Sequence, residues 1–128
     1  MKKDFDEWNS EKKKVEEYHR APVKTGEVYW CRIGLNIGVE QDGKGDNFMR
    51  PVIILKKFSD QIVLVIPLTT KNHKGDWYID LSIDNKDVQG VLNQIRPIDT
   101  KRLLSSMGQI GRTEVVKIIT AYYEIIKK

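Results

Sequence analysis

The sequence predicts a mainly β domain with helices: a small antiparallel sheet or barrel, a C-terminal helix and an extra helix at the N-terminus. Three observations predict it. Between residues 26 and 98, five short runs rich in β-branched and aromatic residues follow one another with no helical pattern between them, an order that suits antiparallel pairing and not a doubly wound fold. Residues 1–24 read differently, with seven basic and six acidic side chains and no glycine. From Thr113 onward, apolar residues recur at helical spacing.

In chain order, Phe5, Trp8, Val15 and Tyr18 fall near one face of a helix over residues 4–19, with Asp4 or Asp6 as N-cap and Pro22 as a stop. Residues 1–24 are thus an N-terminal helical extension, and residues 25–128 the barrel domain. The predicted strands are 27–33 (EVYWCRI), 52–58, 62–69 (IVLVIPLT), 77–82 and 90–98 (GVLNQIRPI). Ser59 and Asp60 join the second and third as a hairpin. Pro51 suits the first residue of a strand and not its middle, so the second strand is expected to begin there. Ile53, Leu55, Val63, Val65 and Leu92 are the expected core. Asp99 is placed to cap a short helix over 100–107 that ends at Gly108. In the last helix, Val115, Ile118, Ile119, Tyr122, Ile125 and Ile126 form a broad stripe that reads as core.

A length of 128 residues accommodates one domain with its own core. The net charge of +4 and pI near 9.1 lean weakly toward polyanionic partners. Cys31 is the only cysteine, so an internal disulfide and a cysteine-built zinc cluster are excluded, in keeping with a reducing cytoplasm. No apolar run reaches membrane-spanning length and the N-terminus is charged, so a cytoplasmic protein with no membrane partner is expected. His19 and His73 stand far apart and neither has a second histidine at ligand spacing, which leaves no metal site.

The chemistry concentrates between Gly38 and Leu55. Gly43 and Gly45, with Asp42, Asp46 and Asn47, make residues 41–49 a polar surface loop, and this loop delivers Arg50 to the mouth of an apolar strand. A five-donor guanidinium there suits phosphate binding. It equally suits an ion pair with Glu40 or Asp46 that only orders the loop, and the stretch alone does not choose. Thr69, Thr70 and Lys71 close the third strand. If strands two and three pair through the hairpin, Arg50 and Thr69 both lie about nine or ten residues from the turn and stand nearly opposite each other. Such a pair could hold a phosphodiester and stabilise the charge that develops on it, whereas a lone threonine would more simply satisfy a strand end. No GxGxxG or GxxxxGK[ST] loop, calcium loop or Ser-His-Asp set is present. Trp30, Trp77 and Tyr78 have two readings, as stacking platforms for bases or as core.

Taken together, residues 26–30 (GEVYW), 38–41 (GVEQ), 50–54 (RPVII), 67–69 (PLT) and 94–103 (QIRPIDTKRL) resemble, in order, the MazF/PemK-type toxins of bacterial toxin-antitoxin systems. The resemblance implies an SH3-like, plasmid-maintenance-toxin barrel, usually a homodimer. It implies a sequence-specific endoribonuclease that needs no metal or other cofactor, cleaves single-stranded RNA and is held inactive by a cognate antitoxin. In that frame Arg50 and Thr69 look like the family's catalytic arginine and threonine. Glu40 and Gln41 resemble loop positions that contact RNA, and Gln94 and Arg96 fall in the late block; Lys44, Thr70 and Lys71, in the loop and at the strand end, complete the RNA-binding candidates. The implied reaction is attack of the substrate's 2′-hydroxyl on the adjacent phosphate. The chain departs from the family in its longer loop between Gln41 and Arg50, in Asn93 where several relatives carry a carboxylate, and in the N-terminal helix. Two other readings remain: a CcdB-like barrel that poisons DNA gyrase without cleaving anything, and a nucleic-acid-binding barrel without activity.

Overall fold

The computed structural model describes residues 22–33 and 49–128. The expected N-terminal helix and the loop before Arg50 lie outside the described residues. Seven strands, β1 (Glu27–Arg32), β2 (Met49–Lys57), β3 (Ile62–Thr69), β4 (Tyr78–Ile83), β5 (Lys86–Val91), β6 (Arg96–Asp99) and β7 (Leu103–Gln109), are followed by one helix, α1 (Arg112–Ile126). The strands form one sheet in the order β4-β5-β3-β2-β1-β7, and β6 also pairs with β3. All pairings are antiparallel. The mainly β architecture with a C-terminal helix is therefore the one expected.

β3 is the hinge of this arrangement. One edge pairs with β2, while the other is shared: residues Ile62 to Val65 bind β6, and Leu68 and Thr69 bind β5. The central strands are buried on both faces, which explains why they read as near-continuous apolar runs. Tyr29, Cys31, Val52, Ile54, Val63, Val65, Ile98 and Leu103 pack on one side. Val28, Ile53, Leu55, Ile66, Leu68, Ile79, Leu81 and Leu92 pack on the other, under Val115 and Ile118 of α1. The five expected core residues are all buried.

Four local expectations are corrected. The run 90–98 is not one strand: β5 ends at Val91, a 3-10 turn spans Leu92–Gln94, and β6 starts at Arg96. The helix expected over 100–107 is a single 3-10 turn, Thr100–Arg102, followed by β7. Asp99 does cap that turn, accepting from the Lys101 N–H at 2.8 Å. Local capping was legible there, but pairing of β7 with β1 wins over helix propensity beyond it. Pro51 sits third in β2 rather than first, because Met49 and Arg50 already pair with Arg32 and Cys31. In α1 the stripe divides: Val115 and Ile118 are buried, whereas Ile119 and Ile126 face solvent.

A hairpin that the sequence reading passed over joins β4 to β5, where Asp84 and Asn85 take φ of 51° and 65° between the paired residues Ile83 and Lys86. Two consecutive left-handed residues in a two-residue loop are the type I′ geometry, for which Asp and Asn are suited.

Gly26 ties the start of β1 to the rest. Its N–H donates to Ile54 O at 2.7 Å and its carbonyl accepts from Ile110 N at 2.8 Å. Its φ is +93°, and a Cβ there would lie 2.8 Å from the Ile110 carbonyl oxygen. Both effects oppose a side chain. Gly26→Ala is expected to lower unfolding free energy by about 2 kcal/mol or more, read from urea denaturation; a loss within about 0.5 kcal/mol would contradict this account.

Candidate active site

The site end of the sheet is built by β2 and β3. Their register runs from Lys57 opposite Val63 to Val52 opposite Pro67, and Arg50 and Thr69 each lie two residues beyond that last pair, at the same end of the sheet. The Arg50 side chain supplies a donor: Nη1 lies 2.9 Å from Leu68 O. Arg50 and Thr69 are both buried, at 6% and 5% exposure. A guanidinium held this way has lost rotamer freedom before any ligand arrives, which is preorganisation in the sense that matters for charge stabilisation.

Alternation along the strands places Arg50 with Val52 and Ile54, and Thr69 with Val63 and Val65, on the face that also carries Cys31. Thr69 Oγ1 accepts from the Lys71 N–H at 3.2 Å, a turn that fixes how Thr70 and Lys71 leave the strand. Gln89, buried on β5, holds the other end of that segment. Its Oε1 accepts from His73 N, and its Nε2 donates to His73 O and to Asp80 Oδ1, each at 2.9 Å. The His73 ring stacks on Tyr78 with centroids 4.5 Å apart.

Arg50, Thr69 and Thr70 line a hollow of about 540 Å³ together with Trp30, Met49, Leu68, Asp84, Lys86 and Met107 among others. Thr70 also lines a second hollow of about 740 Å³, which includes Lys71, Asp80, Asp87, Gln89 and Lys117. Gln94 and Arg96 line neither. Gln94 is half-buried in the 3-10 turn after β5, and Arg96 Nη2 donates to Ile33 O at 3.3 Å. Glu40, Gln41 and Lys44 lie outside the described residues.

Sequence reasoning missed Arg102 and Gln89. Arg102 stood within the quoted late block, but only the fold shows that its Nη1 donates to Arg32 O at 3.3 Å. Arg102 and Arg96 thus hold the last residue of β1 and the residue after it. The Gln89 clamp had no signal in the sequence, since its partners lie 9 and 16 residues away. No group of three His, Cys, Asp or Glu side chains able to hold a metal occurs among the described residues. Nor is any helix among them long and apolar enough to cross a membrane.

Cys31, opposite Arg50, reports on the electrostatics here. Burial pushes its thiol from 9.0 up to about 12, although Arg102, Arg96 and Arg32 all act to lower it. Desolvation outweighs three guanidinium fields, so Cys31 is an inert structural thiol and not a nucleophile. The folded chain retains a proton that the unfolded chain releases near pH 9, so this group's stabilising effect is constant below pH 9 and declines as pH rises toward 12. At pH 8 a disulfide reagent such as Ellman's is expected to leave the native protein unmodified except as fast as it unfolds, and to titrate one thiol after denaturation; rapid reaction of the native protein would contradict the assignment.

The comparisons with known proteins agree with this fold. A family model described as PemK-like, MazF-like toxin of type II toxin-antitoxin system matches residues 24–126. Among curated proteins no sequence matches. Two of the solved structures that are similar show the extent of the likeness. One, an endoribonuclease in complex with its cognate antitoxin from a mycobacterial species, is 18% identical with a TM-score of 0.62, over 84% of this chain and 96% of that one. The other, the Mycobacterium tuberculosis toxin MazF-mt6, is 14% identical with a TM-score of 0.58, over 79% of this chain and 96% of that one.

Proposed function

The chain belongs to the PemK/MazF-like toxin family of type II toxin-antitoxin systems, and from that premise we propose that it is a sequence-specific, metal-independent endoribonuclease acting on single-stranded RNA. The observation that carries this reading is that Arg50 and Thr69 are both buried at the same end of the sheet, where Arg50 Nη1 donates to the carbonyl of Leu68, the residue before Thr69. A solved neighbour that is an endoribonuclease bound to its cognate antitoxin supports it. By the same analogy the chain acts in the cytoplasm as a homodimer and is silenced by an antitoxin.

In the proposed reaction the 2′-hydroxyl of the substrate attacks the adjacent phosphorus. The phosphorus–oxygen bond to the 5′-oxygen of the next nucleotide breaks, and the proton given up by the 2′-hydroxyl passes, in the net reaction, to that oxygen, leaving a 2′,3′-cyclic phosphate and a 5′-hydroxyl. Arg50 stabilises the negative charge that grows on the phosphorane oxygens. Its guanidinium stays protonated at ordinary pH, so its contribution is electrostatic, and its bond from Nη1 to Leu68 O holds it in place. Thr69 directs its hydroxyl to a non-bridging oxygen. Thr70 and Lys71, at the mouth between the two hollows, guide the backbone of the RNA, and Glu40, Gln41, Lys44, Gln94 and Arg96 complete the RNA contacts.

Arg50→Ala is expected to lower the cleavage rate by about 10² to 10³, the usual loss for one transition-state donor, and to lower kcat more than it raises KM. Thr69→Ala should act in the same direction. Cleavage of a long single-stranded RNA by purified wild type and variants, each shown by circular dichroism to be folded, measures this. Variants as active as wild type would remove both residues from the mechanism. A folded wild type that cleaves nothing but inhibits gyrase supercoiling would replace the nuclease reading with the gyrase-poison one. Binding through about three phosphate contacts gives a log-log salt slope near −2. A flat salt response would exclude that mode of binding.

A further inference from the structure

The residue opposite Thr69 on β5 is Gln89, buried at 7% exposure. On its other side Gln89 stands opposite Asp80 of β4, so the three residues form one row across the sheet. Residues directly opposite in antiparallel strands turn their side chains to the same face, and the 2.9 Å bond from Gln89 Nε2 to Asp80 Oδ1 agrees with that.

The amide is used to capacity. A glutamine side chain carries an acceptor oxygen and two donor hydrogens. Here Oε1 accepts from His73 N, while Nε2 donates to His73 O and to Asp80 Oδ1. Both backbone groups of His73 are therefore held by one buried side chain, and a buried bond set of this kind is costly to leave unmade. A glutamate in the same place would turn a carboxylate on the Asp80 carboxylate and on the His73 carbonyl.

What Gln89 holds is the far end of a turn whose near end is the Thr69 hydroxyl. Thr69 Oγ1 accepts from the Lys71 N–H at 3.2 Å. With a lone pair engaged there, the hydroxyl keeps its hydrogen to donate elsewhere. Only Asn72 separates Lys71 from His73, and His73 is fixed twice, by the Gln89 amide and by its stacking on Tyr78.

We propose that Gln89 is a positioning residue for RNA cleavage: by clamping His73 it fixes the 70–73 turn, and through the Lys71 N–H it directs the Thr69 hydroxyl toward the scissile phosphate. This role rests on the nuclease reading and adds to it a side chain that acts through Thr69.

The test measures cleavage of a long single-stranded RNA at saturation, with amide hydrogen exchange on the same proteins. Gln89→Met keeps the length and removes all three bonds, and Gln89→Glu keeps only the acceptor; either variant suffices if folded. Each is expected to lower the rate about tenfold or more, because small displacements at a reacting centre are amplified in the rate. Exchange at Lys71 and His73 should quicken by about tenfold or more, with the β2–β3 ladder unchanged. In a Thr69→Ala background the same substitutions should change the rate by less than about twofold, since the hydroxyl they act through is already gone. Asp80→Asn added to Gln89→Glu offers the new carboxylate a donor and should recover about threefold or more. Losses that multiply in full with Thr69→Ala, as a general weakening of the fold would give, would overturn the proposal. So would a folded variant with the wild-type rate, or with unchanged exchange at Lys71. A folded wild type that leaves RNA intact removes the nuclease reading itself, and this role falls with it.

Discussion

Beyond the last backbone pair of β2 and β3, a guanidinium joins the two strands: Arg50 Nη1 donates to Leu68 O at 2.9 Å. The hydrogen bond from Arg50 Nη1 to Leu68 O couples the register of β2 and β3 to the direction of one arginine. If the register slipped by one residue, the side chains of β2 would exchange faces. Arg50 would then leave the side shared with Thr69 and Cys31, and Val52 and Ile54 would leave their core. The burial of β2 and β3 on both faces makes that slip costly, so the packing that stabilises the fold also aims the side chain on which the chemistry depends.

The surroundings of this pair follow from how the sheet divides. β5 and β6 share one edge of β3, and Asp84 and Lys86 of the β4–β5 hairpin line the hollow beside Thr69 together with Trp30 and Met107. Gln89 fastens the segment after Thr69 to this hairpin, while Arg96 and Arg102 hold the end of β1. Cys31, opposite Arg50, has no solvent exposure, and Arg50 and Thr69 are nearly as buried. Low effective dielectric strengthens the interaction of a fixed guanidinium with a developing anion, which is how a single arginine can account for a large share of a rate.

Much of this was legible in the sequence because local patterns agreed with the global answer. β3 was read with its observed bounds, Ile62–Thr69, and the pairing of β2 with β3 through one hairpin followed from the short Ser59-Asp60 connection. The failures have a common physical origin in long-range pairing. Residues 103–107 became a strand because β1 offered an open edge, and 90–98 broke into two strands because β5 and β6 pair with different stretches of β3. Neither partner is visible in a local window. The outer stripe of α1 was read as core because periodicity finds apolar faces but does not say which of two faces the body covers. Gln89 and Arg102 were illegible for the same reason, since their contacts span the fold.

The most direct test of the central claim is the chemistry of the cut ends. Purified protein is incubated with a long single-stranded RNA in the presence of EDTA, and the fragments are mapped and their termini identified. Cleavage at a short recurring sequence that leaves 2′,3′-cyclic phosphate and 5′-hydroxyl ends is the predicted result, because an arginine-threonine site stabilises internal attack and supplies no activated water. Intact RNA with a folded protein, or fragments that end in 3′-hydroxyl and 5′-phosphate, would contradict it.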